Sequence, residues 1–437
     1  MTNEIGNLKG RNVNIVDGVR TPFLKSRGIP GPFTASDLAV ACGKILLCRQ
    51  PFQAQHIDEV IIGCAAPSVD EANIARLIAL RLGCGKSIPA FTVQRNCASG
   101  MQAIDSAAID IADGRADLVL AGGTEAMSHY PLLYSKDMAA WLGTIASTRA
   151  LTSKLATLTR FRPAMLKPVI GLAHGLTDPI TGLSMGQTAE NLACRFHITR
   201  QQMDEFSARS HQCLANAQDN HYLDEIIEIV DYEQNAYPQD TGLRRDSSIK
   251  KLAKLKPVFD KTFGHITAGN SAQVTDGASL MILASDDAVE EYQLPVLGRV
   301  VDCEWAGLDP AQMGLGPVHA VTPLLQRHQL AIKDIDYWEI NDAFAAQVLA
   351  CISAWNDADY CRDKLGLEGP LGNLPMERLN SDGGGISLGH PVGASGARIA
   401  LHALKVMQRN NHQRAIASLC IGGGQGGALL LERNVYA

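Results

Sequence analysis

Apolar residues follow two rhythms along this chain. Runs such as Ile57-Asp58-Glu59-Val60-Ile61-Ile62-Gly63 and Ala116-Asp117-Leu118-Val119-Leu120-Ala121-Gly122-Gly123 are short and apolar, and they read as strands leading into loops. Met101, Ile104, Ala108 and Ile111 recur at helical spacing until Gly114 stops the run. Strands alternating with helices imply α/β layers. The pattern also repeats. Ile335-Asp336-Tyr337-Trp338-Glu339-Ile340-Asn341 resembles 57–63, Ala394-Ser395-Gly396 resembles Ala98-Ser99-Gly100, and 415–423 resembles 116–123. Both halves run strand, loop, helix, strand, glycine turn. A duplicated α/β unit of this kind brings two equivalent loops to one central site.

Between the repeats lies a long middle region. Its stretch 138–177 carries Arg149, Lys154, Arg160, Arg162 and Lys167 without one acid, interleaved with Trp141, Leu142, Ile145, Leu155, Phe161, Met165, Leu166 and Ile170. Two readings fit: amphipathic helices for a membrane surface or partner, or a lid packed on its own domain with its basic residues in solvent. Glycine clusters at 383–396 (GGGISLGHPVGASG) and 422–427 (GGGQGG), flanked by apolar stretches, and this predicts ordered loops.

Composition narrows the choice. A chain of 437 residues with 46% hydrophobic and 19% charged residues suits an ordinary globular enzyme. The net charge of -6 argues against broad nucleic-acid binding. The polar start MTNEIGNLKG lacks the apolar core of a secretory signal, and no apolar run reaches membrane-span length, so a soluble cytoplasmic protein is expected. Eleven cysteines are scattered with no Cys-x-x-Cys pair, which leaves a zinc framework unsupported and a disulfide scaffold disfavoured. No metal is expected. Cys97 is set apart by its place just before a helix N-terminus, where the partial positive charge favours a thiolate.

Four segments carry chemistry: Asn96-Cys97-Ala98-Ser99-Gly100, Asn341-Asp342-Ala343-Phe344-Ala345, Gly389-His390-Pro391-Val392-Gly393-Ala394-Ser395-Gly396, and Cys420-Ile421-Gly422-Gly423-Gly424-Gln425-Gly426. Each alone has a plain structural reading, since lone buried cysteines and loop histidines are common. Together, and with 19–23 (VRTPF), 122–128 (GGTEAMS), 185–190 (MGQTAE) and 267–270 (TAGN), they resemble the thiolases over nearly the whole chain.

The resemblance implies an α/β fold of two βαβαβαββ halves in an αβαβα layered core, with a helical and loop domain inserted in the first half. The implied units are an N-terminal half, 1–128 with 262–292; a substrate- and CoA-binding loop domain, 129–261; and a C-terminal half, 293–437. It implies thiolytic cleavage of 3-ketoacyl-CoA through an acyl group on Cys97. His390 matches the activating base and Cys420 the second acid–base. Asn341 and His390 match one oxyanion site, and the N–H groups of Cys97 and Gly422 the other. CoA is the co-substrate, with no permanently bound cofactor. Arg244, Met185, Phe259 and Phe344 fall where the family contacts CoA, and the run Lys250, Lys251, Lys254, Lys256 could meet its phosphates. Two positions depart from the pattern. Asp342 stands where many thiolases have Glu, and Ala272 where many have a pantetheine-contacting serine, leaving Ser271 as the substitute.

The length and the segment 161–168 (FRPAMLKP), with 183–186 (LSMG), resemble the thiolase subunit of the β-oxidation trifunctional complex. That implies a homodimer core in a heterotetramer with a hydratase/3-hydroxyacyl-CoA dehydrogenase subunit, and peripheral membrane contact through 138–177. A biosynthetic acetoacetyl-CoA thiolase and a non-catalytic thiolase-like lipid carrier are the alternatives.

Overall fold

The computed structural model describes residues 2–3 and 6–433. Its ten-stranded sheet contains β1 (Asn14–Arg20), β2 (Glu59–Gly63), β3 (Ala90–Val93), β4 (Leu118–Ala126), β5 (Thr275–Ala284), β6 (Gly298–Gly307), β7 (Tyr337–Ile340), β8 (Arg414–Ile421) and β9 (Gln425–Glu432), plus the two-residue strand Leu24–Lys25 against β5. The helices that matter for the site are α1 (Ala35–Cys48), α2 (Ile74–Arg81), α3 (Ser99–Ala112), α4 (Lys136–Ser147), α5 (Leu151–Leu158), α6 (Met185–Arg195), α7 (Arg200–Asp219), α8 (Gly316–Arg327), α9 (Ala345–Asn356) and α10 (Val392–Asn410).

The sheet order is β7-β8-β9-β6-β1-β5-β4-β2-β3. Each half has the same internal order. In the first, β5 lies antiparallel between β1 and β4, and β2 is parallel to β4. In the second, β9 lies antiparallel between β6 and β8, and β7 is parallel to β8. Where the first half adds β3 parallel to β2, the second has a single parallel bridge from Leu379 to Trp338. The halves meet where Gly298 and Arg299 pair with Ile15 and Asn14. The duplication expected from the sequence is therefore present in the topology.

Strand alternation builds the layers. In β4, Val119 and Ala121 enter one core while Leu118 and Leu120 enter another. In β8, Ala415, Ala417 and Leu419 face the first of these, and Ile416 and Cys420 face a third. The shared core lies between the half-sheets and holds α3 and α10; α1 and α2 cover one outer face, α8 and α9 the other. Both faces of each half-sheet are thus buried, which is why the strands read as nearly continuous apolar runs.

The central helices touch backbone to backbone. A Cβ on Gly100 would stand 2.8 Å from the Gly393 oxygen and 2.9 Å from the Ala397 nitrogen; one on Gly396 would stand 2.5 Å from the Met101 nitrogen. The repeated Ala-Ser-Gly is thus the helix crossing itself. A charged network surrounds α10. Arg20 binds Asp240 at 2.7 and 2.9 Å and Glu225 at 3.3 Å; His402 lies 3.0 Å from Glu225 and 3.4 Å from Asp382; Arg398 pairs with Glu339. Burial alone would lower the His402 pKa, but Glu225 and Asp382 raise it to about 10. Buried charges survive only with such partners.

Between β4 and β5 the chain leaves the sheet. There α4 and α5 pair through Trp141, whose Nε1 donates to the Thr157 carbonyl at 2.9 Å and whose ring meets Phe161 at 5.2 Å. Within 138–177 only Met138 and Thr157 are buried. Leu132, at 70% exposed, and Leu151, at 73%, stand out with Leu155, Leu158, Leu166 and Ile170. No helix among the described residues is long and apolar enough to cross a membrane.

The crossing makes a direct prediction. Gly100→Ala forces backbones apart and costs about 1–3 kcal/mol of stability. Denaturant unfolding will show a lowered midpoint; an unchanged midpoint would contradict the close contact.

Candidate functional site

Cys97 occupies the turn between β3 and α3. The Ser99 hydroxyl pins that turn, accepting the Arg95 N–H at 2.9 Å and donating to the Asn96 carbonyl at 2.7 Å. Asn96 has φ 46°, a left-handed conformation that asparagine tolerates. Its amide donates to the Gly422 carbonyl at 2.8 Å and ties the turn to the loop between β8 and β9. The backbone N–H groups of Gly422 and Cys97 favour the thiolate form of Cys97. That loop requires glycine: Gly424 has φ 77°, and a side chain there would collide with the Leu308 carbonyl.

His390 precedes α10. Its Nδ1 lies 2.6 Å from the Ser395 Oγ, while its Nε2 is buried and has no protein partner. Asn341 directly follows β7, held by its N–H donating to the Ser418 carbonyl at 3.0 Å; both polar atoms of its side chain are buried without a partner. Unpaired buried groups are costly, so their concentration here marks a place built for a ligand.

The geometry brings the predicted residues together. Cys97, His390 and Cys420 line one cavity of about 350 Å³ with Met185, Phe259, Ser271 and Phe344. Asn341 lies behind its wall, with Oδ1 against Gly385. A second cavity of about 440 Å³ also reaches Cys97 and Met185 and is lined by Ala65, Tyr130, Pro131, Ile180 and Gly422. Phe259 and Phe344 meet edge to face at 6.0 Å. The Ser271 hydroxyl donates to the Thr267 carbonyl at 2.7 Å and keeps its lone pairs for a ligand donor. Arg244 does not line either cavity. It sits on an exposed loop whose Gly242 carbonyl accepts from Gln273 at 2.8 Å, and Gln273 does line the first cavity. Among the described residues no group of three or more His, Cys, Asp or Glu is placed to hold a metal ion.

The electrostatics differ from the sequence expectation. The helix N-terminus was expected to lower the Cys97 pKa. Instead burial pushes the thiol up, the Gly422 and Cys97 N–H groups only partly offset this, and Glu125 adds to it. Burial, with Arg398 nearby, lowers His390 to about 3. Cys420 is raised well above an ordinary thiol by burial and by Cys97 beside it. The resting set is therefore neutral thiol, neutral imidazole, neutral thiol.

The sequence pattern assigns no role to Glu125, which lies within the segment 122–128. Its carboxylate accepts the N–H groups of Ala65 at 2.8 Å, Ala66 at 3.2 Å and Gly393 at 3.0 Å, and so joins the loop after β2 to the start of α10. Burial raises it to about 7 against those donors. Nor does the sequence assign roles to Asn96 and Ser395 beyond their places in the motifs. An acid inside an apolar strand was the available signal for Glu125.

The profile of the thiolase N-terminal domain matches residues 13–287, and that of the C-terminal domain matches 294–433. The chain is 34% identical to the mitochondrial trifunctional enzyme subunit beta of Bos taurus over 97% of this chain and 88% of that protein. It is 34% identical to a 3-ketoacyl-CoA thiolase of Yersinia pestis, over 97% of each chain. Among solved structures, human mitochondrial 3-ketoacyl-CoA thiolase in complex with CoA aligns at a TM-score of 0.83 and 34% identity, covering 99% of this chain and all (100%) of that one. The Bacillus anthracis acetyl-CoA acetyltransferase aligns at 0.82 and 34% identity, covering 97% and 99%.

A neutral resting site has a measurable signature. Alkylation of Cys97 by iodoacetamide, followed by peptide mapping, will accelerate as pH rises through the ordinary thiol range of about 8–9. A rate that levels off below pH 7 would reveal a preformed thiolate and contradict it.

Proposed function

This chain belongs to the thiolase family and is an acetyl-CoA C-acyltransferase, and we propose that it cleaves 3-ketoacyl-CoA with CoA to acetyl-CoA and a shortened acyl-CoA in fatty-acid β-oxidation. The observation that carries this reading is the meeting of Cys97, His390 and Cys420 on one cavity, with His390 Nε2 unpartnered.

His390 Nε2 takes the Cys97 proton as the sulfur attacks the 3-keto carbon. The oxyanion that forms lies against the N–H groups of Cys97 and Gly422, donors worth about 3 kcal/mol each when preorganised. The bond to carbon 2 breaks, and the electrons leave into the thioester as an enolate. The protonated His390 and a water held by Asn341 stabilise that oxygen, and Cys420 protonates carbon 2. Cys97 keeps the shortened acyl group. The Cys420 thiolate then takes the proton of a fresh CoA thiol, which attacks the Cys97 thioester and carries the acyl group away, and the released Cys97 thiolate takes its proton back from His390. A thiol serves at both steps because thioester exchange is nearly balanced.

Met185, Phe259, Ser271 and Phe344 line the path of the pantetheine arm, and Arg244 meets the adenine end. Burial, and then the nearby charges of Arg244 and Arg27, lower the Lys25 pKa, and the three cations together make this rim positive, as a phosphate-bearing ligand requires. The cavity past Tyr130, Pro131 and Ile180 receives the acyl chain, which favours substrates longer than acetoacetyl-CoA. For assembly, the edge strand β3 joins two copies, and the exposed apolar and basic face of α4 and α5 serves a trifunctional complex at an anionic membrane surface. Resemblance to the trifunctional beta subunit supports this.

Thiolysis assays from acetoacetyl-CoA to 3-ketohexadecanoyl-CoA test the reading. Turnover is expected with the longer chains, and Cys97→Ala should reduce it to background with CoA affinity kept. Activity confined to acetoacetyl-CoA would point to the biosynthetic reading, and no turnover with binding intact to a carrier.

A further inference from the structure

We propose that Ser395 is the positioning residue that fixes the tautomer of His390, and so decides which ring nitrogen faces Cys97. The proposal rests on His390 acting as the base.

Ser395 is fully buried in the first turn of α10. Its Oγ lies 3.0 Å from the Pro391 carbonyl and 2.6 Å from His390 Nδ1. A carbonyl oxygen only accepts, so the hydroxyl proton points to Pro391. The Oγ lone pair then faces Nδ1, which must donate. Two hydrogen bonds form only in this arrangement. The opposite tautomer would take the hydroxyl proton for Nδ1 and leave two oxygens facing each other at 3.0 Å with no proton between them. With the proton on Nδ1, the lone pair is on Nε2, the buried atom without a protein partner. That is the atom needed to accept the Cys97 proton. A neutral imidazole makes tautomer choice matter, because each form has one acceptor nitrogen.

The other half of the repeat supports this. Ser99, the equivalent of Ser395, hydrogen-bonds the Asn96 carbonyl at 2.7 Å and the Arg95 N–H at 2.9 Å. In each half, the serine before the helix-crossing glycine pins the loop just upstream, and each loop carries one reactive residue. In the first half the serine holds backbone alone. In the second it has gained a side-chain partner, the imidazole.

The test uses full-length protein with isotope-labelled histidine. Nitrogen spectra report which ring nitrogen carries the proton, and His390→Asn identifies the His390 signals. The wild type is expected to show protonated Nδ1 and bare Nε2. Ser395→Ala should give a mixed or reversed tautomer and lower kcat by about 10-fold or more with KM changed less than about two-fold, the pattern of lost general-base catalysis. Ser395→Thr, which keeps the hydroxyl, should restore both; thermal melting checks folding of each variant. A wild-type proton on Nε2, or unmoved His390 signals in Ser395→Ala, would overturn the proposal, even if kcat fell. His390→Asn separates the underlying reading: unchanged alkylation of Cys97 there would contradict His390 as the base, while the tautomer spectra stand independently.

Discussion

Two helices that touch through glycine set the geometry of this protein. At Gly100 and Gly396 the backbones of α3 and α10 approach too closely for any side chain. That contact fixes the two loops just upstream, one with Cys97 and one with His390, in a single place. It also turns both helix N-termini toward that place. The half-sheets stack on either side of the pair, and the cavity forms where the loops leave the layers. A larger residue at either crossing would separate nucleophile and base before it disturbed either loop.

Burial then decides the chemistry. The helix ends do not overcome desolvation, so Cys97 and Cys420 stay protonated and His390 stays neutral at rest. The site stores no charge. It offers donors to charge that develops during reaction, where the low dielectric makes them most effective. The neighbouring carboxyls follow the same rule. Glu125 and Asp342 are each raised to about 7, chiefly by burial. Glu125 is held by backbone N–H groups and gives the loops their fixed arrangement.

Much of this was legible in the sequence. The apolar runs at 57–63 and 116–123, their repeats, and the helical spacing from Met101 to Ile111 appear as expected. The repeated Ala-Ser-Gly was visible, but its meaning was not, because a glycine at a helix crossing and one in a loop read alike. Cys97, His390 and Cys420 could be singled out by motif. The direction of the Cys97 shift could not, since local position shows the helix end and hides how much water the fold removes. Arg244 shows a similar limit: the motif singles it out, but its place outside both cavities was not readable. The segment 138–177 had two readings, and the structure leaves its leucines exposed, which local pattern alone did not show.

In the reaction proposed, Cys97 and no other thiol carries the acyl group. Brief incubation of the full chain with a saturated acyl-CoA, acid quench and peptide mass spectrometry tests it most directly. One acyl adduct is expected, on the peptide holding Cys97, discharged by added CoA. An adduct on Cys420 in place of Cys97, or a Cys97 adduct that CoA cannot remove, would contradict it.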